Sequence, residues 1–263
     1  MRSLLSLMFL GSSLVVTACT NHGDPAGGDT AEGAVDSADS ASAEGNVMMA
    51  AIDGTDTSAL AAVTGDAIAI RIAANITARY QPAGCATVTQ AGAAIKVVYN
   101  DCTGPRGLVH VTGELDLAVA VSTQGTITVH ATSSDLKVNG ADLEVDATGA
   151  YAVSGTAHSL AVTTSGTGSG PRGLAVDHEG SYTVSWDTAS QCHSIAGSWS
   201  TDIGARTRSN DVNLSRCAGG CPTGTVTHRF LGGKSITVTF DGTATAAWTA
   251  STGASGTVAL GCQ

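Results

Sequence analysis

Long runs in which apolar and polar residues alternate constrain this chain more than any other feature. In the clearest run, Val111, Leu115 and Leu117 occupy odd positions while Glu114 occupies an even one. A similar run covers 176–186. Successive side chains of a β-strand point to opposite faces of the sheet, so each run predicts a strand with one apolar and one polar face. We therefore expect an all-β fold built from antiparallel strands.

Glycines recur within these runs, each two residues after an apolar residue or a histidine. They are Gly113, Gly140, Gly155, Gly180, Gly197 and Gly242. The spacing of the first five is alternately long and short, which predicts a meander whose glycines lie side by side and whose turns fall midway between them. Turn-forming residues are present at the four midpoints. These midpoints are 123–126, 147–150, 166–168 and 187–190.

The same glycines predict curvature, because a sheet without side chains on its inner face can curl. Four of them lie on the apolar side of their strands. Around Gly140 and Gly155 the alternation changes parity, which predicts β-bulges near 140–142 and 155–158. The expected fold is a strongly curved antiparallel meander, either an open curled sheet or a barrel, bent by the six glycines.

One segment before the sheet has a different pattern. Apolar residues at helical spacing from Leu60 to Ile70 predict a short amphipathic helix over about 58–76, although Gly65 interrupts it. Residues 68–72 alternate as in a strand, so the sequence leaves that alternative open.

The first residues are typical of an export signal. Arg2 supplies a positive charge, and residues 4–16 form an apolar segment that is too short to span a membrane. Val16-Thr17-Ala18-Cys19 follows as a small-residue cleavage site. This motif resembles the lipobox of bacterial lipoproteins.

The resemblance implies a signal peptide over 1–18, which is cleaved before Cys19. It also implies attachment of palmitate and other acyl chains to that cysteine, which would anchor the protein in a membrane. Thr20 stands where an Asp tends to mark retention in the inner membrane. The resemblance therefore favours the outer membrane over the inner membrane of the cell envelope.

Residues 19–46 are expected to form a disordered acidic tether behind the lipidated cysteine. From residue 20 to residue 46 the chain has six acids and no Lys or Arg, and most other residues are small. Such a segment cannot bury enough apolar surface to offset the entropy of ordering. Residues 47–263 remain, a normal length for a single all-β domain.

The cysteines beyond Cys19 number six, an even count that predicts disulfide bonds in an exported chain. Six cysteines allow fifteen connectivities. One is preferred, because two pairs would close the open ends of predicted hairpins and the third follows by elimination. A competing interpretation is a metal site formed by Cys217 and Cys221 with His193 or His228. Such a site would lack a second close pair of ligands. The preferred disulfides are Cys85–Cys102, Cys192–Cys217 and Cys221–Cys262.

The charge of the chain excludes one class of partner. With 12 Lys and Arg against 22 Asp and Glu, the net charge is −10. A protein of this charge has no basic field with which to hold nucleic acid.

The best candidates for chemistry are polar residues of one strand. His110, Glu114 and Asp116 share a strand face. Residues two apart on a strand are separated by nearly 7 Å, so a solvated polar face accounts for these three without a metal or an acid–base pair. His178 lies on an apolar face beside Gly180, which indicates a buried histidine bonded to a neighbouring strand. The sequence predicts no catalytic residues, no metal and no cofactor.

These observations favour a non-catalytic binding or structural module displayed in the cell envelope on a tether, with a protein, glycan or lipid partner. An alternative is a periplasmic or outer-membrane carrier of a lipid or other apolar ligand held in the curved sheet. A further alternative is an envelope hydrolase.

Overall fold

The computed structural model describes residues 64–104, 110–170, 173–260 and 262. The predicted signal peptide, Cys19, the acidic tether and the part of the predicted helix before Thr64 lie outside the described residues.

The described chain forms a single antiparallel sheet of thirteen strands, in which each strand pairs with the next one along the chain. This arrangement confirms the predicted meander. The first seven strands are β1 (Ala86–Ala91), β2 (Ala94–Thr103), β3 (His110–Val121), β4 (Ile127–Val138), β5 (Ala141–Ser154), β6 (Ala157–Ser169) and β7 (Ala175–Asp187). The last six are β8 (Cys192–Ile203), β9 (Arg206–Cys217), β10 (Thr223–Arg229), β11 (Ser235–Asp241), β12 (Thr245–Ala250) and β13 (Ser255–Ala259).

The sheet is open. Its strand order runs from β1 to β13, so these two strands are the edges, and among the described strands each pairs on one side only. A short 3-10 turn at Leu231–Gly233 connects β10 to β11.

Among the described residues, one helix, α1 (Gly65–Arg79), precedes the sheet. The hydroxyl of Thr64 accepts a hydrogen bond from the backbone N–H of Ala67 and caps its first turn. The helix thus begins at Gly65, the residue expected to interrupt it, and ends three residues beyond the predicted limit. Gly65 packs tightly here, since a Cβ would lie 3.0 Å from the carbonyl oxygen of Val119. No helix among the described residues is long and apolar enough to cross a membrane.

The main core lies between α1 and the inner face of β1–β7, which we define as the face that carries the buried apolar side chains. Ile68 and Ile72 of the helix are fully buried, as are Val97 of β2 and Val129 of β4. The helix packs against β1, β2 and β3. The inside of this half of the sheet is therefore filled by the protein's own side chains.

The structure corrects the interpretation of Gly140 and Gly155. Both glycines lie in two-residue turns, not in bulges. Asn139 and Gly140 have φ values of 49° and 84°, and Val138 pairs directly with Ala141 on the next strand. The parity of the apolar residues changes there because a two-residue turn separates paired residues by an odd number.

Two of the four predicted turn positions are confirmed. The segments 122–126 and 188–191 connect β3 to β4 and β7 to β8. The other two were wrong, because 147–150 lies inside β5 and 166–168 inside β6. The real turns on either side of β5 are at the glycines that we expected to lie in strands.

Gly113 is the glycine at which a true irregularity occurs. The pairing of β3 with β4 shifts between Thr112 and Asp116, and Gly113 has a φ of 103°. A Cβ at this position would lie 2.3 Å from the carbonyl oxygen of Asp135. Gly180 and Gly197 lie within strands, and Gly242 lies in the turn after β11. The role of the six glycines in bending the sheet stays a prediction.

Three disulfides brace the sheet, with the preferred pairing. The Cα–Cα distances are 5.3 Å for Cys85–Cys102, 3.9 Å for Cys192–Cys217 and 5.3 Å for Cys221–Cys262. The competing metal site at Cys217 and Cys221 was therefore wrong, since both sulfurs are bonded to other cysteines.

Replacing Gly113 by Ala should lower the free energy of unfolding on the order of 3 kcal/mol, because positive φ and a backbone clash act together. Gly125 is the matched control, since its φ is 81° and no atom lies within 4 Å of a Cβ there. Gly125→Ala should cost only about 1–2 kcal/mol. Urea unfolding of both variants measures the difference, and equal losses would show that the close approach of Asp135 has no effect on stability.

Candidate binding face

The polar residues singled out on β3 do not form a site. The backbone N–H of His110 donates to Asn139 Oδ1 at 2.8 Å. Glu114 instead forms an ion pair with Lys96 at 2.5 Å, on the neighbouring strand. Asp116 is exposed. His110 and Glu114 thus contact different neighbouring residues on a solvated face, as the strand geometry led us to expect.

His178 lies on the other face and is only 2% exposed. Its Nδ1 and the hydroxyl oxygen of Thr201, on β8, are 2.9 Å apart and form a hydrogen bond. Burial lowers the pKa of His178 to about 4, although the nearby Asp177 acts in the opposite direction. The ring is therefore neutral at physiological pH and packs as a structural residue.

An open groove of about 380 Å³ lies where β5–β8 approach their turns. Ser159, Ser185, Ser194 and Ser215 pair in register across four strands along it. Its one carboxylate, Asp187, already accepts hydrogen bonds from the N–H groups of the following turn, which lower its pKa to about 2. Besides these small side chains, His158, Trp186 and His193 also line the groove.

An aromatic cluster lies at the same end of the sheet, and two of its members also line the groove. The hydroxyl of Tyr151 and Nδ1 of His158 are 2.7 Å apart. The rings of His158 and Trp186 are parallel, with centroids 5.2 Å apart. Tyr151 is buried and Trp186 packs against the main core. This cluster therefore closes the end of the core.

The two faces of β5–β13 carry opposite charge. All nine Asp and Glu residues of these strands lie on the outer face. Three of the four arginines lie on the inner face, all of them on β9, together with four histidines. The outer acids are Asp142, Glu144, Asp146, Asp177, Glu179, Asp187, Asp202, Asp211 and Asp241. The inner cations are Arg206, Arg208 and Arg216, and the inner histidines are His158, His178, His193 and His228.

A second apolar cluster occupies the inner face of β8–β13. Its members, which we call the apolar strip, lie in two rows that cross the strands. Among the described residues, these strands pack extensively only against neighbouring strands and the 3-10 turn, so no second layer covers them. Five of the strip's nine members are only partly buried, whereas Val212, Leu214, Phe240 and Ala246 are buried. It comprises Ile195, Val212, Leu214, Val226, Val238, Phe240, Ala246, Trp248 and Val258.

Basic residues border the apolar strip on both sides. Arg216 lies two residues beyond Leu214 on β9, towards the disulfide. Arg208 lies at the other side, is 6% exposed and pairs with Thr201. We call the strip together with Arg208, Arg216, Asn210 and His228 the basic face.

His228 is the most unusual group of the basic face. Its Nδ1 lies 2.6 Å from Asn210 Oδ1 and donates to it, so its Nε2 carries the lone pair. That Nε2 is buried and has no hydrogen-bond partner. Burial and the neighbouring Arg208 lower the pKa of His228. The ring contacts Phe230 edge-on, with centroids 4.3 Å apart.

The chain has no match among protein-family models, curated proteins or solved structures. Its site is therefore interpreted from the chemistry of its own residues.

Sequence reasoning did not identify the basic face. His193 and His228 were considered only as metal ligands, and the arginines of β9 were not considered at all. A signal was present, since Arg208 and Arg216 share parity with the apolar Val212 and Leu214. Without the strand pairing, nothing showed that the neighbouring strands have no acid on that face.

Lowering the pH should reveal the burial of His178. The folded pKa of about 4 lies below the usual 6.5, so only the unfolded chain binds a proton between these values. The free energy of unfolding should therefore fall as the pH is lowered from 6.5 to 4, by up to about 3 kcal/mol from this residue. His178→Asn should remove that part of the slope, whereas His110→Asn, on the solvated face, serves as the control. An unchanged slope in His178→Asn would contradict the assignment.

Proposed function

We propose that this protein is a lipid-anchored module of the bacterial cell envelope that performs no catalysis and binds a partner through its basic face. The observation that carries the proposal is the separation of charge in β5–β13. A protein surface that serves only solubility mixes both signs of charge. A partly buried apolar surface bordered by arginines, with every carboxylate of β5–β13 on the opposite face, is instead suited to an anionic partner.

Two features support the location. The Val16-Thr17-Ala18-Cys19 motif resembles a lipobox, and its cysteine would carry the anchor. Three disulfides are typical of an oxidising compartment outside the cytoplasm. The acidic tether would hold the sheet away from the membrane, and Thr20 favours the outer membrane.

The carrier alternative gains support in one part of the molecule. The inner face of β1–β7 is filled, so that half offers no room for a ligand. Five of the nine residues of the apolar strip are partly exposed, and an apolar group would fit there. The hydrolase alternative gains no support, because His110 and Glu114 lie on the outer face of β3 while His178 is buried on the inner face of β7.

Cys19→Ala should abolish lipid attachment. Cells that express the full chain and are fed an alkyne analogue of palmitate should label the wild type and not the variant, and only the wild type should fractionate with the outer membrane after cleavage. Thr20→Ser, which leaves the cysteine in place, is the control. Labelling of Cys19→Ala at the wild-type level would exclude the anchor.

The binding face can be located with a photo-crosslinking amino acid at neighbouring positions of β11. Val238 lies on the basic face and Thr239 on the outer face of the same strand. Irradiated cells should give a covalent adduct of discrete mass at position 238 and none at 239, as measured by intact mass spectrometry. Adducts only at 239 would place the binding surface on the acidic face.

A further inference from the structure

We propose that the basic face binds one anionic amphiphile, whose acyl chain lies along the apolar strip and whose headgroup lies at Arg208 and Asn210. The inference rests on the binding face proposed above and adds the class of its ligand.

The shape of the apolar strip suits a long acyl chain. The strip crosses six strands, and a strand spacing of about 4.8 Å gives it a length of about 24 Å. Gly197, Gly224 and Gly256 interrupt its rows, and neighbouring atoms approach each of them closely, such as the indole of Trp248 at Gly256. An acyl chain placed there would cover the half-buried Val226, Val238 and Trp248, and so remove apolar surface from water.

The polar end of the strip suits an anionic headgroup. Arg208 is nearly buried, and its charge is close enough to lower the pKa of His228. Asn210 pairs with Trp199 on β8 and with His228 on β10. Along the inner face of β9 it lies between Arg208 and Val212 of the apolar strip. Removal from water strengthens the attraction between a guanidinium and an anion. The inner face of β5–β13 has no carboxylate that would repel the anion.

An amphiphile fits this surface better than a peptide does. An extended peptide that joins a sheet pairs its backbone with an edge strand, whereas the apolar strip runs across the strands in the middle of the sheet. The backbone groups of β9–β12 are already paired within the sheet on both sides. An acyl chain needs no hydrogen bonds, so it can lie on such a surface without leaving polar groups unpaired.

Dodecyl phosphate is a suitable probe, with dodecyl maltoside as a neutral amphiphile of the same chain length. The mature chain, residues 19–263 with its disulfides formed, is titrated below the critical micelle concentration and followed by tryptophan fluorescence and calorimetry. Dodecyl phosphate should bind at least about tenfold more tightly than dodecyl maltoside. Inorganic phosphate should not compete at the same concentration, because it lacks the chain.

Matched variants separate the contributions of the two ends. Arg208→Gln should weaken dodecyl phosphate binding about tenfold, whereas Arg229→Gln, which removes an arginine from the outer face, should change it less than about twofold. Val238→Glu should abolish binding, and Thr239→Glu, on the opposite face of the same strand, should leave it unchanged. If Arg208→Gln fails to fold, Val238→Glu and Thr239→Glu still test whether the ligand binds on the basic face.

Three outcomes would overturn the inference. Equal binding of both amphiphiles would show that charge has no role, and competition by inorganic phosphate would indicate a headgroup site alone. Dodecyl phosphate could also bind only after the six acids within residues 20–46 are replaced by neutral residues. That result would mean that the chain's own acidic tether occupies the basic face.

The anchor and the ligand are tested independently. Palmitate labelling without dodecyl phosphate binding would reject the proposed ligand and leave the proposed lipid anchor in place. Binding without labelling would reject only the anchor.

Discussion

The continuous pairing of β5 to β13 is the constraint on which the rest of this structure depends. Over these nine strands the register runs without a shift, whereas shifts occur at β2–β3, β3–β4 and β4–β5. A slip of one residue would turn every following side chain to the opposite face. Because no slip occurs, parity along each strand alone decides whether a side chain joins the acidic outer face or the basic inner face.

The two halves of the sheet solve the problem of burial differently. In the first half, α1 covers β1–β3 and a large cluster of side chains is almost fully buried. In the second half the apolar strip has no described layer above it. Two disulfides, Cys192–Cys217 and Cys221–Cys262, lie in this thinner half. On the loop-entropy model each contributes about 3–4 kcal/mol, which helps offset the weaker core.

Much of the fold could be predicted from the sequence, because alternation and cysteine spacing are local signals. Val111, Leu115 and Leu117 identified β3, and hairpin geometry gave the disulfides. The errors arose where one pattern has two physical causes. A change of parity at Gly140 fits either a bulge or a two-residue turn, and we chose the bulge although Asn139-Gly140 is a strong turn signal. The start of α1 was misplaced because Thr64, its capping residue, was not recognised.

The candidate site was harder to predict for a different reason. His110, Glu114 and Asp116 attracted attention because they are close in sequence, yet they share only a solvated strand face. Arg208 and His228 are twenty residues apart in the sequence. They lie near each other because Asn210, two residues from Arg208, pairs with His228 across β9 and β10. A face of one charge is a property of several strands at once, so it becomes visible only when their register is known.

The position of the basic face also connects the fold to its proposed setting. A chain with a net charge of −10 is repelled from anionic surfaces by most of its exterior. Arg208 and Arg216 border the apolar strip on the inner face and would draw an anion there, while the outer acids would discourage adsorption elsewhere. In the proposed function, segregating charge by strand parity would give selectivity without a deep pocket, since only a ligand that is both apolar and anionic would gain from the whole face.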